Sequence, residues 1–198
     1  HYVPARVKAF CESHGSPIEP VMLTHPGMGL DWHLGQSQTY FNLMCGGYDA
    51  VILQHNAHPF PGKDSLLEAG EKMAALVPKG TKIYLYMTWS EKNNPQGQAV
   101  MSEAYEALAE KTGAAVCPVG CVWWQVASTH PDEELYFADG EHSSVLGACL
   151  SAAVIGRTLL GLETTPENCY ADAKELERLE LNSRMIDLVM RDGGLEMA

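Results

Sequence analysis

Asp49-Ala50-Val51-Ile52-Leu53-Gln54-His55-Asn56 is the stretch on which the fold turns. Its continuous apolar run has the pattern of a strand buried on both faces of a parallel sheet, and three polar side chains follow at its carboxyl end. Downstream the same unit repeats. Residues 65–77 have helical character and stop at Pro78-Lys79-Gly80, residues 82–88 (KIYLYMT) read as a strand, and residues 98–111 form an Ala/Glu-rich helix that ends at Gly113. A short strand over 114–119, helical residues 122–128, a loop through Asp139-Gly140-Glu141-His142 and an Ala-rich helix over 143–160 complete the series.

Upstream, residues 4–12 read as a helix with Val7, Phe10 and Cys11 on one side, stopped near Gly15. Residues 17–24 have strand character, with Val21, Met22 and Leu23 leading into the turn His25-Pro26-Gly27-Met28-Gly29. A helix is predicted over 31–45, with Asp31 as N-cap candidate and Gly46-Gly47 as its close. Strands alternating with helices at this spacing predict an α/β fold, a three-layer α/β/α sandwich around a parallel sheet, over residues 1–165. Residues 166–198 form a tail. Within it, residues 171–191 place Leu176, Leu179, Met185, Ile186 and Val189 at helical spacing beside Glu175, Glu177 and Glu180, an amphipathic helix expected to pack on the domain or to serve homo-oligomer formation.

Composition sets the outer limits. The chain has 198 residues and a mass of 21.6 kDa, enough to bury a core without disulfides or structural metals. Its 13 Lys and Arg against 25 Asp and Glu give a formal net charge of −12, which would repel nucleic acid and anionic membrane surfaces. No apolar run reaches the roughly 18 residues that would span a bilayer, so the expectation is a soluble protein, cytoplasmic or secreted. The six cysteines suggest no disulfide framework and read as free thiols; Cys117 and Cys121 lack the spacing and the second pair that a zinc site needs.

In a doubly wound sheet the ligand lies beyond the carboxyl ends of the strands, which points to turns at 25–29, 54–59, 88–94 and 139–142. In Asp139-Gly140-Glu141-His142 a carboxylate precedes an imidazole by three residues. Such an Asp can fix one ring nitrogen and leave the other as a general base. The Asn56 amide could donate to an oxyanion, and Gly27 lets a backbone N–H approach a ligand. Trp89, in the third turn, reads equally as a pocket wall or a core aromatic.

Taken together, Gly27, Asn56 and Asp139/His142 resemble the SGNH (GDSL-like) hydrolase superfamily, whose members carry a Ser after the first strand, a Gly after the second, an Asn after the third and Asp-x-x-His before the last helix. The surroundings, Tyr48-Asp49-Ala50-Val51-Ile52-Leu53-Gln54, Pro118-Val119-Gly120 and Leu135-Tyr136, look like a bacterial branch of it. The resemblance covers roughly residues 1–160 and implies a flavodoxin-like sheet. It also implies an ester hydrolase, of carboxylesterase or carbohydrate acetyl esterase type, that works through an acyl-enzyme on a small-molecule ester without a cofactor. His142 would be the base, Asp139 its partner, and Gly27 with Asn56 the oxyanion hole.

Two departures qualify the match. Gln54 stands where the wider superfamily has Gly, and the Gly-x-Ser block is absent. Ser13, Ser16, Ser37, Ser90 and Ser143 fit poorly as substitutes, because none follows a first strand. The expectation is that the first strand and the nucleophile Ser lie upstream of His1 and that these residues alone are inactive. Two competing readings remain: a non-catalytic ligand-binding domain, and a metal-dependent hydrolase built on His25, His55 and His58, with His33 nearby.

Overall fold

The computed structural model describes residues 3–193, with side chains described through residue 183. Three strands, β1 (Ala50–Leu53), β2 (Lys82–Tyr86) and β3 (Ala115–Cys117), form a parallel sheet in that order. Val51 lies beside Ile83, and Leu85 beside Val116. Parallel neighbours need crossover connections, and these are α4 (Lys63–Leu76) and α5 (Gly97–Thr112). Both cross on one face, the consequence of a shared right-handed sense.

That face buries Leu53, Leu85 and Met87 of the sheet side against Leu66, Ala69 and Met73 of α4 and Met101, Ala104, Tyr105 and Leu108 of α5. The opposite face packs Tyr84, Tyr86 and Cys117 under α1 (Val3–Ser13), α6 (Val119–Thr129) and α7 (Val145–Leu160). α7 is apolar over most of its circumference, since Leu146 through Gly156 are all buried. It can be so because the sheet lies on one side and α8 (Pro166–Gly193) covers another, contributing Cys169, Ala173 and Leu176 to the same core. Leu179 and Leu181 of α8 are exposed, and the side chains of Met185, Ile186 and Val189 lie outside the described residues.

Several boundaries differ from the sequence reading. The helix expected over 31–45 is two, α2 (Leu30–Leu34) and α3 (Ser37–Cys45), because the chain turns at Gly35 and Gln36, the latter in extended conformation. α6 begins at Val119, straight after Pro118, and shortens the strand before it. The largest correction concerns residues 17–24, which form no strand. Val21, Met22 and Leu23 are 64%, 59% and 44% exposed, so their apolar side chains face water. A strand needs a hydrogen-bonded neighbour, and among the described residues this segment has none. β1 is open in the same sense: among the described residues it pairs with β2 alone, and its Ile52 is 39% exposed. Among the described residues no helix is long and apolar enough to cross a membrane.

Candidate active site

The 139–142 turn lies between α6 and α7, after the isolated bridge partner Tyr136, which pairs with Ser143. Asp139 Oδ1 accepts from the backbone N–H groups of Glu141 and His142, each at 2.9 Å, which closes the turn around the carboxylate. Its other oxygen, Oδ2, lies 2.8 Å from His142 Nδ1. An ionised carboxylate only accepts, so Nδ1 donates and Nε2 keeps its lone pair. The backbone N–H of Glu141 first, then that of His142 and the imidazole, hold the Asp139 carboxyl down to about 2. The His142 side chain is 74% exposed, so its free nitrogen faces solvent.

A second group sits at the tip of β1. Gly27, with φ +71°, and Gly29 line a cavity of about 310 Å³ together with Asn56, Trp32, Asp31 and Ser65. Gly27 and Asn56 are thus brought together, and Asp31 and Ser65 also line a larger groove of about 900 Å³ along α4. One Asn56 Nδ2 hydrogen donates to Pro59 O at 3.2 Å; an amide nitrogen carries two, and the second has no partner among the described residues. The sequence reading singles out Gly27 and not Gly29, yet Gly29 is the tighter of the two. A Cβ there would stand 2.6 Å from His55 Nδ1 and 2.7 Å from Asn56 Oδ1.

His55 is only 1% exposed and holds this corner together. Its Nδ1 accepts from Leu30 N–H at 3.0 Å, so the neutral ring carries its proton on Nε2, which donates to Ser65 Oγ at 3.1 Å. Burial pushes the His55 pKa down and keeps it neutral. A histidine that donates to a serine does not deprotonate it, so the Ser65–His55 pair is a brace and not a nucleophile with its base. Sequence reasoning missed Ser65. Its signal was the first turn of the helix following the Asn56 loop.

The other histidines are dispersed. His58 Nε2 donates to Trp89 O at 2.9 Å, and His25 lies tilted against Trp32 with ring centroids 4.7 Å apart. Since His55 and His58 are already committed to the protein, the set His25, His55 and His58 offers no convergent lone pairs. Among the described residues no group of three or more His, Cys, Asp or Glu could hold a metal ion. Ser90 is buried, and its hydroxyl accepts from Trp124 Nε1 at 3.1 Å. Among the described residues no serine hydroxyl is hydrogen-bonded to His142.

Asp139 and His142 lie outside the Gly27/Asn56 cavity, and the two groups are joined through Trp89. Its indole N–H donates to Glu141 O at 2.8 Å and its carbonyl accepts from His58, three residues before Pro61 at the cavity wall. The ring itself is 7% exposed and stacked on Trp123 at 3.9 Å, so of the two sequence readings it is a core aromatic.

No protein-family model matches the sequence, and no curated protein does. Solved structures do. The chain is similar to a protein from Slackia heliotrinireducens proposed to be an SGNH hydrolase, with a TM-score of 0.65 and 21% identity over 78% of this chain and 90% of that one. It is also similar to a DUF4886 family protein from Bacteroides uniformis, with a TM-score of 0.62 and 15% identity over 88% of each chain. These likenesses establish the fold, an SGNH-like α/β/α sandwich.

Proposed function

We propose that this protein is a serine ester hydrolase that works through an acyl-enzyme, with His142 as general base, Asp139 as its partner, and Gly27 N–H and Asn56 Nδ2 as oxyanion donors. The observation that carries the reading is the Asp139–His142 pair, in which the carboxylate consumes the Nδ1 proton and leaves Nε2 as an accessible base. The fold likeness to a proposed SGNH hydrolase supports the reaction class.

The nucleophile is a serine at the carboxyl end of a strand upstream of His1. The bare edge of β1 supports this, because a further strand could pair there. His142 Nε2 takes the serine proton as Oγ bonds to the acyl carbon, and the oxyanion is met by Gly27 N–H and the free Asn56 hydrogen. Nε2 then returns the proton to the leaving alcohol. Water, deprotonated by the same nitrogen, releases the acid and restores the serine.

The test is hydrolysis of 4-nitrophenyl acetate by the protein expressed together with the residues encoded before His1. His142→Ala should lower kcat by at least about a thousandfold, the scale of losing a triad base, with an unchanged circular dichroism spectrum. Unchanged turnover would remove His142 from the mechanism. A folded protein without turnover of any acyl ester, yet binding one, would favour a ligand-binding role.

A further inference from the structure

In the 139–142 turn the Asp139 and His142 side chains are 40% and 74% exposed, yet the backbone of the turn is held. Three consecutive carbonyls are all engaged. Gly140 O accepts from Lys92 N–H at 2.9 Å, Glu141 O from Trp89 Nε1–H at 2.8 Å, and His142 O from Phe137 N–H at 2.7 Å. Two of the three donors come from the loop after β2, which lies about fifty residues away in sequence, as the 52-residue separation of Trp89 and Glu141 records.

That loop is itself immobilised, carbonyl by carbonyl. Thr88 O accepts from Gln98 Nε2 at 3.3 Å, Trp89 O from His58 Nε2 at 2.9 Å, and Ser90 O from Tyr136 OH at 2.8 Å. Trp89 stands at the junction of the two sets. Filling the core beside Trp123 requires only a large flat ring; holding the turn requires an N–H at one edge of it.

We infer that Trp89 is a positioning residue of the candidate active site: its indole N–H sets the 139–142 turn, and its own carbonyl, held by His58, ties that turn to the loop bearing Asn56. The inference rests on the reading of His142 as base. Its consequence is that the Asp139–His142 bond is preorganised by a residue that touches no substrate. Loss of the N–H frees the Glu141 carbonyl, which shares a peptide plane with the His142 N–H that Asp139 accepts, so the carboxylate holds the imidazole less firmly.

The experiment is NMR on the protein with ¹⁵N-labelled histidine and backbone, comparing Trp89 with Trp89→Phe. A second variant carries 3-benzothienylalanine at position 89, which keeps the bicyclic stack on Trp123 and replaces only the N–H by sulfur; it serves if the phenylalanine variant does not fold. In both, amide exchange of Glu141 and His142 should quicken about fivefold, the factor one neutral hydrogen bond is worth, while Leu150 in α7 exchanges as before. At pH 8.5 the His142 ring ¹⁵N shifts should move from mainly Nδ1–H toward the Nε2–H tautomer. Unchanged His142 shifts and unchanged Glu141 exchange in a folded variant would overturn the inference. Neither readout needs turnover, so a protein that hydrolyses no ester even when expressed with the residues encoded before His1, yet whose His142 tautomer responds to position 89, would sink the esterase reading and leave the clamp standing.

Discussion

Gly29→Ala isolates the packing at the cavity from every other contribution. The backbone at Gly29 has φ −93° and ψ −177°, an extended conformation open to any residue, so alanine meets no torsional penalty there. Its Cβ, however, would lie 2.6 Å from both Cε1 and Nδ1 of His55 and 2.7 Å from Asn56 Oδ1. Ordinary contact between such atoms is about 3.5–4 Å, so roughly 1 Å of overlap must be relieved. His55 has nowhere to go: it is 1% exposed and held by Leu30 N–H, Ser65 Oγ and, through its own N–H, the Tyr105 hydroxyl at 3.2 Å.

Overpacking of this kind costs about 1–3 kcal/mol, and stranding the buried Leu30 N–H adds about 1–3 kcal/mol. A total near 3 kcal/mol is expected. Gly27→Ala is the control, since nothing lies within 4 Å of its Cβ and only the positive φ of +71° opposes it. That costs about 1 kcal/mol. Urea unfolding followed by tryptophan fluorescence separates them: with a slope of about 3 kcal/mol/M, Gly29→Ala should lower the midpoint by about 1 M and Gly27→Ala by about a third of that. Equal midpoints, or a larger loss at Gly27, would refute the packing argument at this corner.

Two further outcomes follow from the ionisation of particular groups. Asp139 has a folded-state pKa depressed from its ordinary 3.8 to about 2, so the stabilisation it contributes is fully present above the ordinary value and is lost as pH falls through about 2. Its carboxyl ¹³C resonance should titrate near 2, and a midpoint at the ordinary aspartate value would show that the turn does not hold it. Among the cysteines, Cys45 is exposed whereas Cys11, Cys117, Cys149 and Cys169 are buried, with burial pushing Cys117 and Cys169 up to about 12 and Cys149 to about 11. Dithionitrobenzoate at pH 8 should label Cys45 at once and the four buried thiols only after unfolding; buried thiols that react at the rate of Cys45 would contradict this core.

The strands were legible from their unbroken apolar runs, as in Ala50-Val51-Ile52-Leu53, although the burial on both faces that such a run predicts is not met there: only Leu53 is buried and Ile52 is 39% exposed. Val21-Met22-Leu23 carries the same signal and forms no strand. Composition reports that a segment suits a sheet, whereas pairing depends on a neighbour that composition does not contain. The break between α2 and α3 escaped notice because Gly35 is one glycine inside an otherwise helical pattern, and its turn is stabilised locally by bonds to Trp32 O and His33 O. Asp139 and His142 were readable since their bond closes over three residues. Trp89 was not, because what distinguishes it from a core ring is a hydrogen bond to a carbonyl that only the tertiary fold brings near. The histidines misled in the opposite direction: residue type suggested ligands, whereas His55 spends both ring nitrogens, and His58 its Nε2, bracing two loops.

The most direct test of the proposed chemistry is covalent labelling of the protein, expressed with the residues encoded before His1, by a fluorophosphonate and mapping of the adduct by mass spectrometry. A single adduct is expected on a serine preceding α1, absent when His142 is replaced by alanine. An adduct on any serine within the 198 residues, or one that forms at the same rate without His142, would contradict it.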